Sequence, residues 1–254
     1  MQIRINRKST SKWVIALVML APFIATGAPR SDASRTVQYR SNAFDLQSGA
    51  FLYSENHTEI WREGRHIASY VEYRDAAGAI MAVKEVNYRV SQQAPEYRLE
   101  DRRNGYLEGA TQIAPGQYRF FRRDVADAEI RSEQVRLPAP MVVDAGFDYF
   151  VRNNFDALLA GRALVANFAV APRLDYYSFS LQPLGTQTYR GRSVLKLQLG
   201  IHNAILRQFL DPVVLYYDIR ERRLLEYVGL TNLNRPDGEN YEARIVFPDT
   251  IPGH

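Results

Sequence analysis

The chain has 254 residues, no cysteine, and 32 basic against 28 acidic side chains. The missing cysteine excludes disulfides, thiolate metal sites and a cysteine nucleophile, and the length is enough to bury a core without such staples. Arg4, Arg7, Lys8 and Lys12 supply the whole basic surplus, so the rest of the chain holds 28 residues of each sign and lacks the excess that phosphate contacts to nucleic acid require.

Residues 1–28 have the three parts of a secretory signal: the four basic residues, an apolar run of 12 at Trp13–Ile24, and small residues up to Ala28. Twelve residues are short for a bilayer span of roughly 20. Cleavage near Ala28 is expected, leaving about 226 residues in a bacterial periplasm or secreted. With no cysteine there is no lipoprotein cleavage site and no acyl anchor by that route.

Residues 29–48 are expected to be irregular, with Thr36–Arg40 and Ala43–Leu46 pairing at a sheet edge, and 49–254 to form a single β-rich domain. Phe51–Trp61, His66–Tyr73 and Ile80–Val90 alternate large and polar residues between turns bearing Gly or Asp. That period of two is the mark of half-buried antiparallel strands. Tyr97–Asp101 and Tyr106–Thr111 flank Asn104-Gly105, a hairpin signal; Gln117–Arg122 and Glu129–Leu137 continue the pattern.

Asp144–Ala160 breaks it. Phe147, Phe150, Val151, Phe155, Leu158 and Leu159 recur at spacings of three and four, one apolar face of a helix. Asp144 reads as the N-cap and Gly161 as the C-cap glycine. Strands resume at Arg162–Ala171, Asp175–Leu184 and Thr188–Gly200, with a break expected at Gly185. His202–Leu210 has no clear period. Val213–Tyr217, Leu224–Gly229 and Asn240–Phe247 close the chain, the last after a Pro236-Asp237-Gly238 turn. So many strands must curve or close. The expected fold is mainly β: a strongly curved antiparallel sheet, or open half-barrel, with one helix on its concave face.

The signal, the meander, the inserted helix and the C-terminal DPVVLYYD…RRLLEYVGLTNL…GENYEARIVF resemble uncharacterised periplasmic proteins of Gram-negative bacteria, and loosely the half-barrel superfamily of lipoprotein-localisation carriers. The resemblance implies a curved sheet around an apolar cavity for acyl chains, with helices as its lid. It carries over no functional residue by position. Glu55, His57, Glu59, Lys84 and Glu85 depart from it, because a carrier's concave face is poor in charge.

Glu55, His57, Glu59 and Trp61 stand at spacing two on one strand face. Two carboxylates beside an imidazole suit a metal ion or a general base. The plainer reading is a solvated strand face. No P-loop, nucleophile elbow, HExxH or glycine fingerprint occurs, so neither a cofactor nor an enzyme is expected. Arg119, Arg122 and Arg123 around Phe120 and Phe121 read as an outward row beside inward aromatics, with lipid head-group contact as the functional alternative. Sixteen Tyr and 12 Phe suit strand surfaces and cavity walls alike. Phe120, Phe147, Phe150, Phe155, Tyr176 and Tyr216 are the candidate ligand-cavity residues. The leading expectation is an exported carrier for an apolar or amphipathic, lipid-like ligand, with peripheral membrane contact. The alternatives are an envelope-assembly protein that holds a protein partner, and a hydrolase-type or metal-dependent enzyme using His57.

Overall fold

In a computed structural model, residues 34–203 and 211–251 are described. The first half is a meander: β1 (Ser34–Asp45), β2 (Phe51–Arg62), β3 (Arg65–Arg74), β4 (Ile80–Asn87), β5 (Glu96–Asp101), β6 (Leu107–Ala114), β7 (Gln117–Arg123) and β8 (Arg131–Arg136). The short β9 (Met141–Val142) leads to helices α1 (Gly146–Asn153) and α2 (Phe155–Leu159). Then come β10 (Leu164–Val170), a 3-10 turn at Ala171–Arg173, β11 (Asp175–Tyr189), β12 (Arg192–Ile201), β13 (Val213–Asp218), β14 (Arg223–Asn234) and β15 (Asn240–Val246).

The described strands form one 15-stranded sheet in the order β8-β7-β6-β5-β4-β3-β2-β1-β15-β14-β13-β12-β11-β10-β9. Pairing is antiparallel except between β9 and β10, which are parallel. The first and last strands are neighbours at the middle, with Asn42 opposite Val246 and Asp45 opposite Ala243. The free edges are therefore β8 and β9, joined in sequence across Pro138–Pro140. One side chain bridges part of this seam: the Arg122 guanidinium on β7 donates to the Pro172 carbonyl in the 3-10 turn. Phe120, Leu137 and Ala171 share one core cluster. The fold is an open, strongly curved, barrel-like antiparallel sheet, as the alternation of apolar and polar residues implies.

Local chemistry sets the turns. Arg62 pairs with Arg65 across Glu63 and Gly64, both at positive φ (50° and 73°). Arg190 and Gly191 do the same between β11 and β12 (51° and 75°). Two positive-φ residues give a hairpin turn whose twist matches the flanking strands, and a glycine at the second position adopts that conformation without strain. In the β1–β2 turn the Asp45 carboxylate accepts from the Ser48 backbone N–H (2.8 Å) and hydroxyl (2.7 Å).

Two apolar clusters fill the concave side. The first joins Tyr53, Tyr73, Leu99, Tyr118, Phe120 and Leu233. The second packs Phe150, Val151, Phe155 and Leu158 of the helices on Leu181, Leu195, Leu197, Leu215 and Tyr217. Full burial of side chains of this size contributes on the order of 1.5–3 kcal/mol each, so sheet and helices depend on each other.

Several expectations are corrected. Thr36–Arg40 and Ala43–Asp45 belong to one central strand, not an edge pair, with Leu46 in the turn after it, and that strand lies inside the stretch expected to be irregular. The Asp144–Ala160 helix is two helices. Asn154 takes a non-helical conformation (φ −111°, ψ 14°) and its side-chain amide donates to the Phe150 carbonyl (2.8 Å), a local bond that competes with helix propagation. Asp144 is not the cap: Ala145 occupies that place with no side-chain bond. Leu159 is 41% exposed, while Phe147 is only half-buried. Gly161, at φ 84°, does end the helical segment, its N–H bonded to the Leu158 carbonyl. Gly185 is not a turn but a bulge within β11. Residues 204–210 of the aperiodic His202–Leu210 stretch lie outside the described residues.

Because β15 is bonded to β1 on one side and β14 on the other, deleting Asn240–Phe247 creates two new open edges in mid-sheet. The truncated chain is expected to lose soluble folding, read by far-UV circular dichroism and size-exclusion chromatography. A stable monomeric product would place the core elsewhere.

Candidate functional site

The β2 face bearing Glu55, His57 and Glu59 points into the barrel. It is not solvated: Glu55 and Glu59 are 7% and 8% exposed. Register explains this, since Tyr39, opposite His57, and Ser41, opposite Glu55, point inward with them. His57 stacks on Tyr39, with ring centroids 4.4 Å apart. The Ser41 hydroxyl donates to Glu55 Oε2 (2.8 Å), and His57 Nε2 lies 3.2 Å from both the Ser41 Oγ and Glu55 Oε2. Burial pushes the Glu55 carboxyl up, but the bonds from His57 and Ser41, together with Lys84, hold it below its ordinary value.

Serine, histidine and carboxylate thus meet, but not as a relay. A relay uses opposite ring nitrogens for hydroxyl and carboxylate, whereas one nitrogen faces both here. Ser41 is fully buried, with no approach for a substrate carbonyl. Glu59 turns elsewhere, accepting from Trp61 Nε1 (2.9 Å) and the Tyr39 hydroxyl (3.2 Å). Glu55, His57 and Glu59 therefore do not converge, and among the described residues no group of three or more His, Asp or Glu side chains is placed to hold a metal ion.

The central polar contact lies beside this cluster. Lys84 on β4 extends inward, its Nζ 3.3 Å from Asp144 Oδ1 and 3.1 Å from Oδ2. Asn232 on β14 donates to the same Oδ1 (2.9 Å). Burial alone would lower the Lys84 pKa. Asp144, Tyr73 and Glu55 outweigh it and hold the ammonium well above its ordinary value. Asp144 stands at φ 41°, so its backbone adopts an uncommon conformation just before α1. Nearby, the buried Tyr53 hydroxyl sits beside Thr231 without a hydrogen bond of good geometry. On β6, Glu108 accepts from the hydroxyls of Tyr106 (2.6 Å) and Tyr97 (3.1 Å). Burial nevertheless raises its carboxyl to about 7.

The six aromatic candidates do not surround one space. Phe120 lies in the first core cluster, Phe150 and Phe155 in the second. Phe147 packs on Phe168, with centroids 5.7 Å apart. Tyr216 is on the outer face, stacked on Tyr189 at 5.0 Å, with Lys196 Nζ 5.5 Å from its ring. Tyr176 lines a surface depression of about 490 Å³ with Tyr177, Ser178 and Ile201. A second depression, of about 620 Å³, lies between the Arg190–Ser193 and Asp218–Glu221 turns. Ser41, Glu108, Asp144 and Asn232 are parts of the polar interior that residue pattern alone does not single out. The alternation of Glu108 with Ala110 was the available signal for one of them; the others need the register and the long loop.

No family model matches the sequence, and no curated protein is significantly similar to it. Among solved structures, the chain is similar to a β-barrel-like protein of a domain of unknown function (DUF1849) from Brucella abortus. The identity is 8% and the TM-score 0.44, over 84% of this chain and 99% of that one.

Removing one partner from a buried ion pair costs about 3–5 kcal/mol, because the other charge stays buried. Lys84→Met is expected to destabilise by that order in urea unfolding, and Lys84→Met with Asp144→Asn to recover at least half of it. Glu108 gives a pH signature. Its folded pKa, about 7, is above its ordinary 4.5, so the folded state binds the proton more tightly. Its contribution to stability therefore falls as pH rises from about 4.5 to about 7, by roughly 2–3 kcal/mol at 1.36 kcal/mol per unit. Glu108→Gln is expected to flatten that part of the stability–pH curve.

Proposed function

We propose that this chain is an exported envelope protein that holds a protein partner at its sheet edge, rather than catalysing a reaction or enclosing a lipid. The observation that carries this reading is the filled concave side. Leu181, Leu195, Leu197 and Leu215 are fully buried under Phe155 and Leu158, so the helices occupy the volume an acyl chain would need. The basic, apolar and small-residue order of residues 1–28 supports export. Catalysis is disfavoured by the shared nitrogen contact and burial of Ser41.

The surface supplies the rest. β8 ends the sheet order, and five of its six residues are exposed. In the loop before it, Val125 and Ile130 are 50% and 55% exposed. An extended segment can add to such an edge through main-chain hydrogen bonds, with side-chain contacts giving specificity. A second reading, an amphipathic ligand, is favoured by one observation: the depression of about 490 Å³ lined by Tyr176, Tyr177 and Ile201, a size within the range of small-molecule sites.

Native mass spectrometry of the protein purified from its own cells separates the two. The expected result is the bare chain mass, or a mass raised by a second protein. A lipid-sized adduct would support the carrier instead. With the recovered partner in hand, Val125→Asp with Ile130→Asp is expected to weaken binding about tenfold or more, about 1.4 kcal/mol. Unchanged affinity would move the partner off this edge.

A further inference from the structure

Beyond residue 28 the chain carries 26 arginines and two lysines. One of these, Lys196, stands on the outer face over the Tyr216 ring. The other, Lys84, belongs to the most deeply buried ion pair among the described residues, with its side chain 12% exposed and that of Asp144 3% exposed. Apart from His57, every other cation in an ion pair among the described residues is an arginine. Arginine is the residue better suited to a buried pair: its guanidinium is planar, gives two parallel bonds to a carboxylate and stays charged. Ion pairing alone therefore does not account for a lysine at this place. What lysine offers and arginine lacks is an amine that can lose a proton when buried and then act as a nucleophile.

The surroundings suit that chemistry. Lys84 lies opposite Val71 on β3 and Leu99 on β5, both buried, and Asp144 follows the fully buried Val143. Nζ is 3.3 Å from Oδ1 and 3.1 Å from Oδ2, so it stands across the carboxyl group, with Cγ between the two oxygens. Asn232 donates to Oδ1 (2.9 Å) and fixes that orientation, while no donor meets Oδ2 with hydrogen-bond geometry. Two groups held in this way behave as one molecule, and well-oriented pairs reach effective concentrations on the order of 10⁵–10⁸ M. An amide would also replace two buried charges by one neutral group, which removes the desolvation cost that the ion pair carries.

We propose that Lys84 and Asp144 become joined by an isopeptide bond that the folded chain forms by itself. The step balances without an oxidant, a cofactor or a second molecule. One proton passes from the ammonium to the carboxylate, leaving a neutral amine and a neutral acid. The Nζ lone pair then forms a bond to Cγ, one Cγ–O bond breaks, and that oxygen leaves as water with a second proton from Nζ. Tyr73 and Glu55, which with Asp144 are the polar groups acting on Lys84, are the acceptors at hand for that proton in transit. Asp144 favours the ammonium, so the first transfer is the slow one. The bond ties β4 to the segment before α1 and closes the chain between residues 84 and 144. In a chain with no cysteine it constrains the unfolded state as a disulfide would. The inference is independent of the partner reading, which concerns the β8 edge.

The test is tryptic peptide mass spectrometry of the chain purified from its own cells and then denatured in urea. Trypsin does not cut at an acylated lysine. The linked chain is therefore expected to give residues 75–89 joined to residues 137–152, lighter than the two peptides together by one water, about 18 Da. Lys84→Arg keeps the charge and the pairing but has no amine to acylate, and is expected to give the peptides separately; circular dichroism verifies that it folds. Recovery of free 75–84 and 137–152 from the wild-type chain would overturn the proposal, whatever the fate of the variant. Equal loss of water in Lys84→Arg would overturn it too. That result would place the dehydration elsewhere, as at Asp237-Gly238, where an aspartate before glycine can cyclise on its own backbone. Because Lys84→Met removes the bond as well as the ion pair, only the gain on adding Asp144→Asn measures the buried charge.

Discussion

The ion pair between Lys84 and Asp144 is the contact on which the interior depends. It joins β4 to the segment between β9 and α1, and Asn232 draws β14 to the same carboxylate. Burying two charges is expensive, and an apolar pair of similar volume would often be no less stable. What the pair supplies is a single docking position. With Asp144 fixed, α1 starts at Gly146, and Phe150, Val151 and Phe155 fall onto the second core cluster. Tyr217 reaches the helix from β13 and donates to Asp148 (3.0 Å). Asp144 and Asp148 thus hold the N-terminal end of the helical segment against the sheet.

The second constraint is where the sheet is interrupted. Joining β1 to β15 puts the two terminal strands at the middle and leaves the free edges at β8 and β9. Arg122 bridges the interruption by binding the Pro172 carbonyl, and Arg103 on the β5–β6 turn reaches across the barrel to the Asn234 carbonyl at the end of β14. Curvature therefore comes from contacts across the barrel as well as from strand twist. A filled barrel of this kind offers its turns, outer face and edges to partners.

Much of this was readable in the residues. Alternation of large and polar side chains located most strands, and the Glu63-Gly64 and Pro236-Asp237-Gly238 signals located their turns. Glu55, His57 and Glu59 were correctly placed on one face, because a period of two fixes the face whatever the register. Which side of the sheet that face takes depends on neighbours distant in sequence: Ser41 and Tyr39 from β1, Lys84 from β4. Hence a row that resembles a solvated face is buried. Tyr216 failed in the opposite sense, since an aromatic in a strand suits either side. The helix break at Asn154 was hidden because the apolar spacing continues across it.

The sequence by itself determined the class of fold, the absence of cysteine chemistry, the neutral balance of charge beyond residue 28, and the place of the helical insertion. Those follow from composition and from periodicities of two and 3.6 residues, which are local properties. Only the tertiary structure decided that the terminal strands meet at mid-sheet, that the helices fill the concave side, and that Ser41, Glu55, His57, Lys84, Asp144 and Asn232 form a buried polar interior. Each of these rests on pairings between residues far apart in the chain, set by closure of the sheet and by the cost of burying a charge without a partner.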